Sequence, residues 1–120
     1  MNDLQMGAVE TRFAEIIWEN EPLTSSQLSA LSFEKLGWKK STTYTVLKRL
    51  CDKGIFQNEK GSVTSLISKA DFYSRQSERF VEENFGGSLP TFLAAFTSRK
   101  KLTTEEVNEL RRMVAEYEEE

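Results

Sequence analysis

Residues 41–54, STTYTVLKRLCDKG, gather serine and threonine hydroxyls, two lysines and an arginine in a chain of 120 residues whose formal net charge is -3. Placed on a helix at about 100° per residue, Thr43, Leu47, Leu50 and Cys51 fall within about 60° of one direction. Ser41, Thr42, Thr45, Lys48, Arg49, Asp52 and Lys53 cover the opposite side. One face is a core face; the other is hydroxylic and cationic, a combination suited to anionic oxygens. Residues 35–60 hold seven basic side chains against two acidic ones, whereas residues 71–120 hold seven basic and eleven acidic. Phosphate contacts respond to local potential, so an acidic chain can still carry a nucleic-acid surface on one face. A merely solvated charged face would show the same composition.

Catalytic chemistry finds little material. The chain has no histidine and one cysteine, Cys51, which leaves no disulfide framework, no multi-cysteine zinc site and no imidazole base. It contains no glycine-rich phosphate loop and no nucleophile elbow. Neither an enzyme nor a cofactor or metal site is expected. No apolar run reaches the roughly 18 residues a membrane helix needs, and MNDLQMGAVE lacks the basic and apolar regions of a secretion signal. A cytoplasmic protein without a membrane partner is the expectation.

The elements that must position the cationic face follow from periodicity and capping. Val9, Phe13, Ile16 and Ile17 form the stripe of a first helix over residues 6–19, flanked by Ala14 and Trp18. Pro22 stops it. Thr24 with Gln27 three residues later is a capping box that opens a second helix through Leu28 and Leu31 to Leu36, closed by Gly37. Ser41 is the expected N-cap of the third helix, and Gly54 the residue that ends it. IFQN and SVTSLIS, separated by EKG, read as a β-hairpin. Three helices followed by a hairpin predict a winged helix-turn-helix domain over residues 1–70, its third helix suited to a major groove.

From residue 71 to 120 the pattern is helical only. Phe72, Tyr73, Phe80 and Val81 line one side of a helix that Gly86 and Gly87 break. Leu89, Phe92, Leu93 and Phe96 mark a second helix with Pro90 in its first turn. Thr103 and Glu106 cap a third helix, striped by Val107, Leu110, Val114 and Tyr117. Three such helices are too small to bury a self-sufficient core, which predicts a three-helix dimerisation domain. Packing back on the first 70 residues is the competing reading. The fold class expected is therefore mostly α with a small β-hairpin.

Together these segments resemble the penicillinase-repressor family of winged-helix repressors. The similarity rests on Glu10 with the IIW ending at Trp18, on Trp38 and TTYTVLKRLCDKGIF, on KGSV around Gly61, and on FGGSLPTFLAAF with LTTEEVNEL. It implies a homodimer that reads a palindromic double-stranded DNA operator and represses transcription. The DNA-facing positions it implies are Thr42, Thr45 and Arg49, with Ser41 and Lys48 beside them; this chain's own Lys39 and Lys40 at the helix start, and Lys60 and Ser62 at the wing, are further candidate DNA contacts. A threonine can donate to phosphate or offer its methyl to thymine, and Arg49 can fork onto guanine O6 and N7 or clamp a phosphate. Dimerisation is expected through Phe80, Leu89, Phe92, Leu93, Phe96, Val107, Leu110 and Val114.

This chain departs from the family in having Lys39-Lys40 where many members have serine-proline, and Ser62 where many have a wing arginine. In the antibiotic-responsive branch, repression ends when a protease linked to a β-lactam sensor cuts the dimerisation domain; the matching bond lies near Ala95-Phe96. Members commonly cut after asparagine, and here the residue is Ala95. The copper-responsive branch carries a C-terminal cysteine cluster, which MVAEYEEE lacks. Two alternatives remain: a winged-helix module that meets a protein instead of DNA, and a repressor of another winged-helix group with a different inducer.

Overall fold

The computed structural model describes residues 5–119. Helix α1 (Ala8–Asn20) leads through a cis Glu21–Pro22 peptide into the two-residue strand β1 (Leu23–Thr24). Then come α2 (Ser25–Leu36), α3 (Lys40–Asp52), and strands β2 (Phe56–Glu59) and β3 (Ser62–Ser65). Helices α4 (Lys69–Phe85), α5 (Leu89–Thr97) and α6 (Thr104–Glu118) complete the chain. The winged helix with its helical C-terminal region is thus the fold expected from the sequence. Two compact units divide between Ser77 and Glu78. The expected division after residue 70 falls within the first turn of α4, and Phe72 in that helix is buried in the N-terminal core.

Local chemistry explains the helix ends. Thr24 Oγ1 accepts from the Gln27 N–H at 3.0 Å while Gln27 Oε1 accepts from the Thr24 N–H at 2.9 Å, so two orphan donors of α2 are satisfied reciprocally. Gly37 takes the left-handed conformation, φ 71°, and its N–H donates back to Phe33 C=O at 3.0 Å, closing α2 with a left-handed cap. Thr103 and Glu106 form the same reciprocal box at the start of α6.

The sheet of the N-terminal unit has the order β1-β3-β2, antiparallel throughout, with Leu23 opposite Val63 and Asn58 opposite Val63 on the other side. Strand β1 was not expected from the sequence: two residues carry no period, and only pairing with β3 makes them a strand. The hairpin turn is Lys60-Gly61, with φ 54° and 85°, the two left-handed residues of a type I′ connection. Gly61 meets that demand without a Cβ; the turn places the same demand on Lys60.

Phe13, Ile17, Leu28, Leu47, Leu50, Ile55, Phe56, Val63 and Phe72 centre the core. Trp18 packs beside it, 5.3 Å from the Phe56 ring and 5.5 Å from Phe72, with its Nε1–H donating to Ile67 C=O at 3.0 Å. Two expectations for the first helix need correction. The helix begins at Ala8 rather than residue 6, and Val9 is exposed. Met6, ahead of the helix, is buried in the core instead, because the chain must bend at Gly7 before the helix can start.

In the C-terminal unit, Phe80, Phe85, Phe92 and Phe96 form a chain of ring contacts with centroids 5.4 to 6.1 Å apart. Gly86 and Gly87 both have positive φ and separate α4 from α5. From Glu78 to Glu119 no described residue is fully buried. Phe80, Leu89, Phe96, Met113 and Val114 are about half exposed or more, so this unit has apolar side chains without a closed core.

Candidate nucleic-acid interface

Helix α3 holds its outer face rigidly because its inner face is locked. Thr43, Val46, Leu47 and Leu50 are buried, and Cys51 is partly covered against the same core. Val46 belongs to this inner face although the sequence reading did not include it. Burial pushes the Cys51 thiol pKa up, as for a small packing residue that stays protonated.

Ser41, Thr42, Thr45, Lys48, Arg49 and Asp52 are all exposed on α3. The expected grouping of hydroxyls and cations is therefore present on one helix. Tyr44 is half-buried at the border of the faces, with Lys40 Nζ 5.8 Å from its ring centroid. Lys48 Nζ reaches Asp52 Oδ2 at 3.1 Å, an exposed pair one turn apart.

The start of α3 differs from expectation. Lys39, not Ser41, is the N-cap, with extended backbone at φ -71° and ψ 158° and no side-chain cap bond. The reason is tertiary: Trp38 stacks 5.1 Å from Phe13, which brings the chain round early and leaves Ser41 inside the first turn. The first intrahelical donor is the Thr43 N–H, to Lys39 C=O at 3.0 Å. The N–H groups of Lys40, Ser41 and Thr42 thus face outward at the positive end of the helix dipole, beside two lysines.

Lys60 and Ser62 are exposed at the tip of the hairpin, an element separate from α3. The tip is anchored, since the Ser25 N–H donates to Gly61 C=O at 2.9 Å and thereby ties the turn to the start of α2.

The sequence reading missed the partner of Arg49. Its Nη1 donates to Glu10 Oε2 at 2.7 Å, joining α3 to the first turn of α1. Glu10 Oε1 also accepts from the Gly7 N–H at 3.3 Å. The Arg49 guanidinium holds the Glu10 carboxyl below its usual pKa, and the Gly7 N–H and Lys53 act in the same direction. Lys53 itself donates to Gln5 C=O at 2.6 Å. Glu10 at the third position of a helix that follows glycine was legible as a cap residue, but nothing local pointed it at residue 49.

The residues expected to dimerise lie in the C-terminal unit. Phe80, Leu89, Phe96 and Val114 are exposed, whereas Phe92, Leu93, Val107 and Leu110 are half-covered. Val107, Leu110 and Val114 line a groove along α6 with Leu102 and Ala115. Ala95 and Phe96 sit in the last turns of α5, both exposed. No helix among the described residues is long and apolar enough to cross a membrane.

Comparison with known proteins agrees with this arrangement. The penicillinase repressor of Bacillus licheniformis is 26% identical over 117 residues, which cover 94% of this chain and 91% of that protein. The methicillin resistance regulatory protein MecI of Staphylococcus aureus is 22% identical over 114 residues, 92% of this chain and 93% of its own. The family profile described as Penicillinase repressor matches residues 6–116, through both the winged helix and the helices after it, and on that match the chain belongs to the penicillinase-repressor family.

Proposed function

We propose that this chain is a transcriptional repressor, not an enzyme, which binds a palindromic double-stranded DNA operator as a homodimer. The observation that carries the reading is the outer face of α3, where Ser41, Thr42, Thr45, Lys48 and Arg49 stand exposed on a helix whose inner face is buried in a winged-helix core. Thr42, Thr45 and Arg49 read base edges. Lys39, Lys40, Ser41 and Lys48 hold phosphates near the helix start and along its side, and Lys60 and Ser62 hold the backbone beside the wing. The names of the two relatives, a penicillinase repressor and a methicillin resistance regulator, support repression in an antibiotic-response setting.

The dimer forms through Phe80, Leu89, Phe92, Leu93, Phe96, Val107, Leu110 and Val114, a reading supported by a C-terminal unit with exposed apolar side chains and no fully buried residue. Release is by a sensor-linked protease that cuts near Ala95-Phe96; the cut splits α5 between Leu93 and Phe96 and severs the segment that carries Val107, Leu110 and Val114, which weakens the dimer and with it both half-site contacts.

The test is a fluorescence-anisotropy titration against a duplex enriched by the protein from a random-sequence pool, with its scrambled counterpart as control and salt varied. Tighter binding to the enriched duplex, with affinity falling steeply as salt rises, is the expected result. Equal weak binding to both duplexes, or a pool that yields no enriched sequence, overturns the reading.

A further inference from the structure

Arg49 stands on the outer face of α3 with its side chain 52% exposed, while the Glu10 side chain opposite is 19% exposed and held to the backbone at Gly7. Of the five guanidinium N–H groups, the contact at 2.7 Å engages Nη1. Nε and Nη2 have no protein partner among the described residues. That leaves one edge of the fork available to a pair of acceptors.

Two consequences follow from elementary electrostatics. First, an arginine clamped at one nitrogen loses the rotamer freedom that would let it sweep to any nearby phosphate, so its remaining edge is presented in one direction. Second, Arg49 and Glu10 together carry no net charge. A phosphate that approaches Arg49 also meets the Glu10 carboxylate, and condensed counterions gain little by being released. A guanine edge presents neutral acceptors at O6 and N7 and suffers much less from that carboxylate.

Resting on the DNA-binding reading above, we propose that Glu10 is a specificity-determining positioning residue: it withholds Arg49 from sequence-blind phosphate contact and presents its free edge to a base pair. Glu10 touches no DNA itself. Its effect runs through the Nη1 contact that ties α1 to α3.

The test compares wild type, Glu10→Gln and Glu10→Asp on two probes, the duplex enriched by wild type from a random pool and its scrambled counterpart, over a salt series. Gln keeps an acceptor for the Gly7 N–H but has no charge to hold Arg49. In E10Q, binding to the scrambled duplex tightens about threefold, the log–log salt slope steepens by about 0.9 per bound protomer, and the enriched-to-scrambled ratio falls roughly tenfold. In E10D, whose shorter carboxylate keeps the charge but draws away from Nη1, the slope stays near wild type and the ratio falls about threefold. In an Arg49→Ala background, E10Q still removes a negative charge near the DNA but leaves the enriched-to-scrambled ratio unchanged. A wild-type ratio in both single variants, parallel weakening on both duplexes with an unchanged slope, or an equal E10Q effect on the ratio in the Arg49→Ala background overturns the inference and leaves the DNA-binding reading intact. Failure of wild type to enrich any sequence overturns both.

Discussion

Arg49 Nη1 lies 2.7 Å from Glu10 Oε2, so a side chain near the end of α3 is fixed by the first turn of a helix 39 positions earlier. The contact couples a charged surface residue to the placement of α1. It also gives the protein a pH dependence whose sign can be worked out. The Glu10 carboxyl titrates lower in the folded chain than in the unfolded one. The stabilisation is therefore complete above the unfolded carboxylate pKa, about 4.3, and is lost as pH falls through the lower folded value. Glu10→Gln should lower stability by about 0.5 kcal/mol at pH 7, as for a surface pair, with the gap closing below pH ~4. Urea midpoints of both proteins at pH 7 and pH 3.5 check this; a gap that persists at low pH would assign the loss to packing rather than charge.

Arg49→Ala should cost about 1–3 kcal/mol of specific DNA affinity. The dimer should be unaffected, because Arg49 lies in the N-terminal unit. Anisotropy and sedimentation on the same preparation separate the two effects.

Leu93→Asp or Phe96→Asp should shift the protein to monomer by placing an unpaired charge where apolar surfaces meet. Phe96 is 45% exposed in the single chain, so the substitution burdens the association rather than the fold of one chain. Sedimentation velocity reads the outcome directly, and an unchanged coefficient would remove these residues from the interface.

Lys60→Asn tests the wing. Lys60 sits at φ 54°, a region asparagine tolerates better than lysine. The variant should gain a few tenths to about 0.5 kcal/mol in stability and, if Lys60 meets a phosphate, lose about 0.9 per protomer from the salt slope. Thermal unfolding and the salt series measure opposite consequences of one substitution.

Leu50→Ala should be the costly core change, about 2–4 kcal/mol. Leu50 is fully buried on the inner face of α3, and the void beneath the helix would loosen the face that carries Thr45 and Arg49. Chemical denaturation checks the magnitude.

Much of this protein was determined by its sequence alone, because the interactions concerned are local. The capping boxes at Thr24 and Thr103 span three residues, the glycine stops at Gly37 and Gly54 depend on one backbone conformation each, and the two faces of α3 follow from its period. The winged helix follows from the order of such elements, and the face of Ser41, Thr42, Thr45, Lys48 and Arg49 was legible before any tertiary contact was known. Only the tertiary structure decided which residue holds Arg49, that Met6 and not Val9 enters the core, that Trp38 against Phe13 starts α3 at Lys40, and that Leu23 and Thr24 pair with β3. Each joins parts of the chain far apart in sequence, or turns on how the chain bends before a helix. No periodicity encodes such choices; they are settled by which packing leaves fewest apolar side chains in water and fewest charges unpaired.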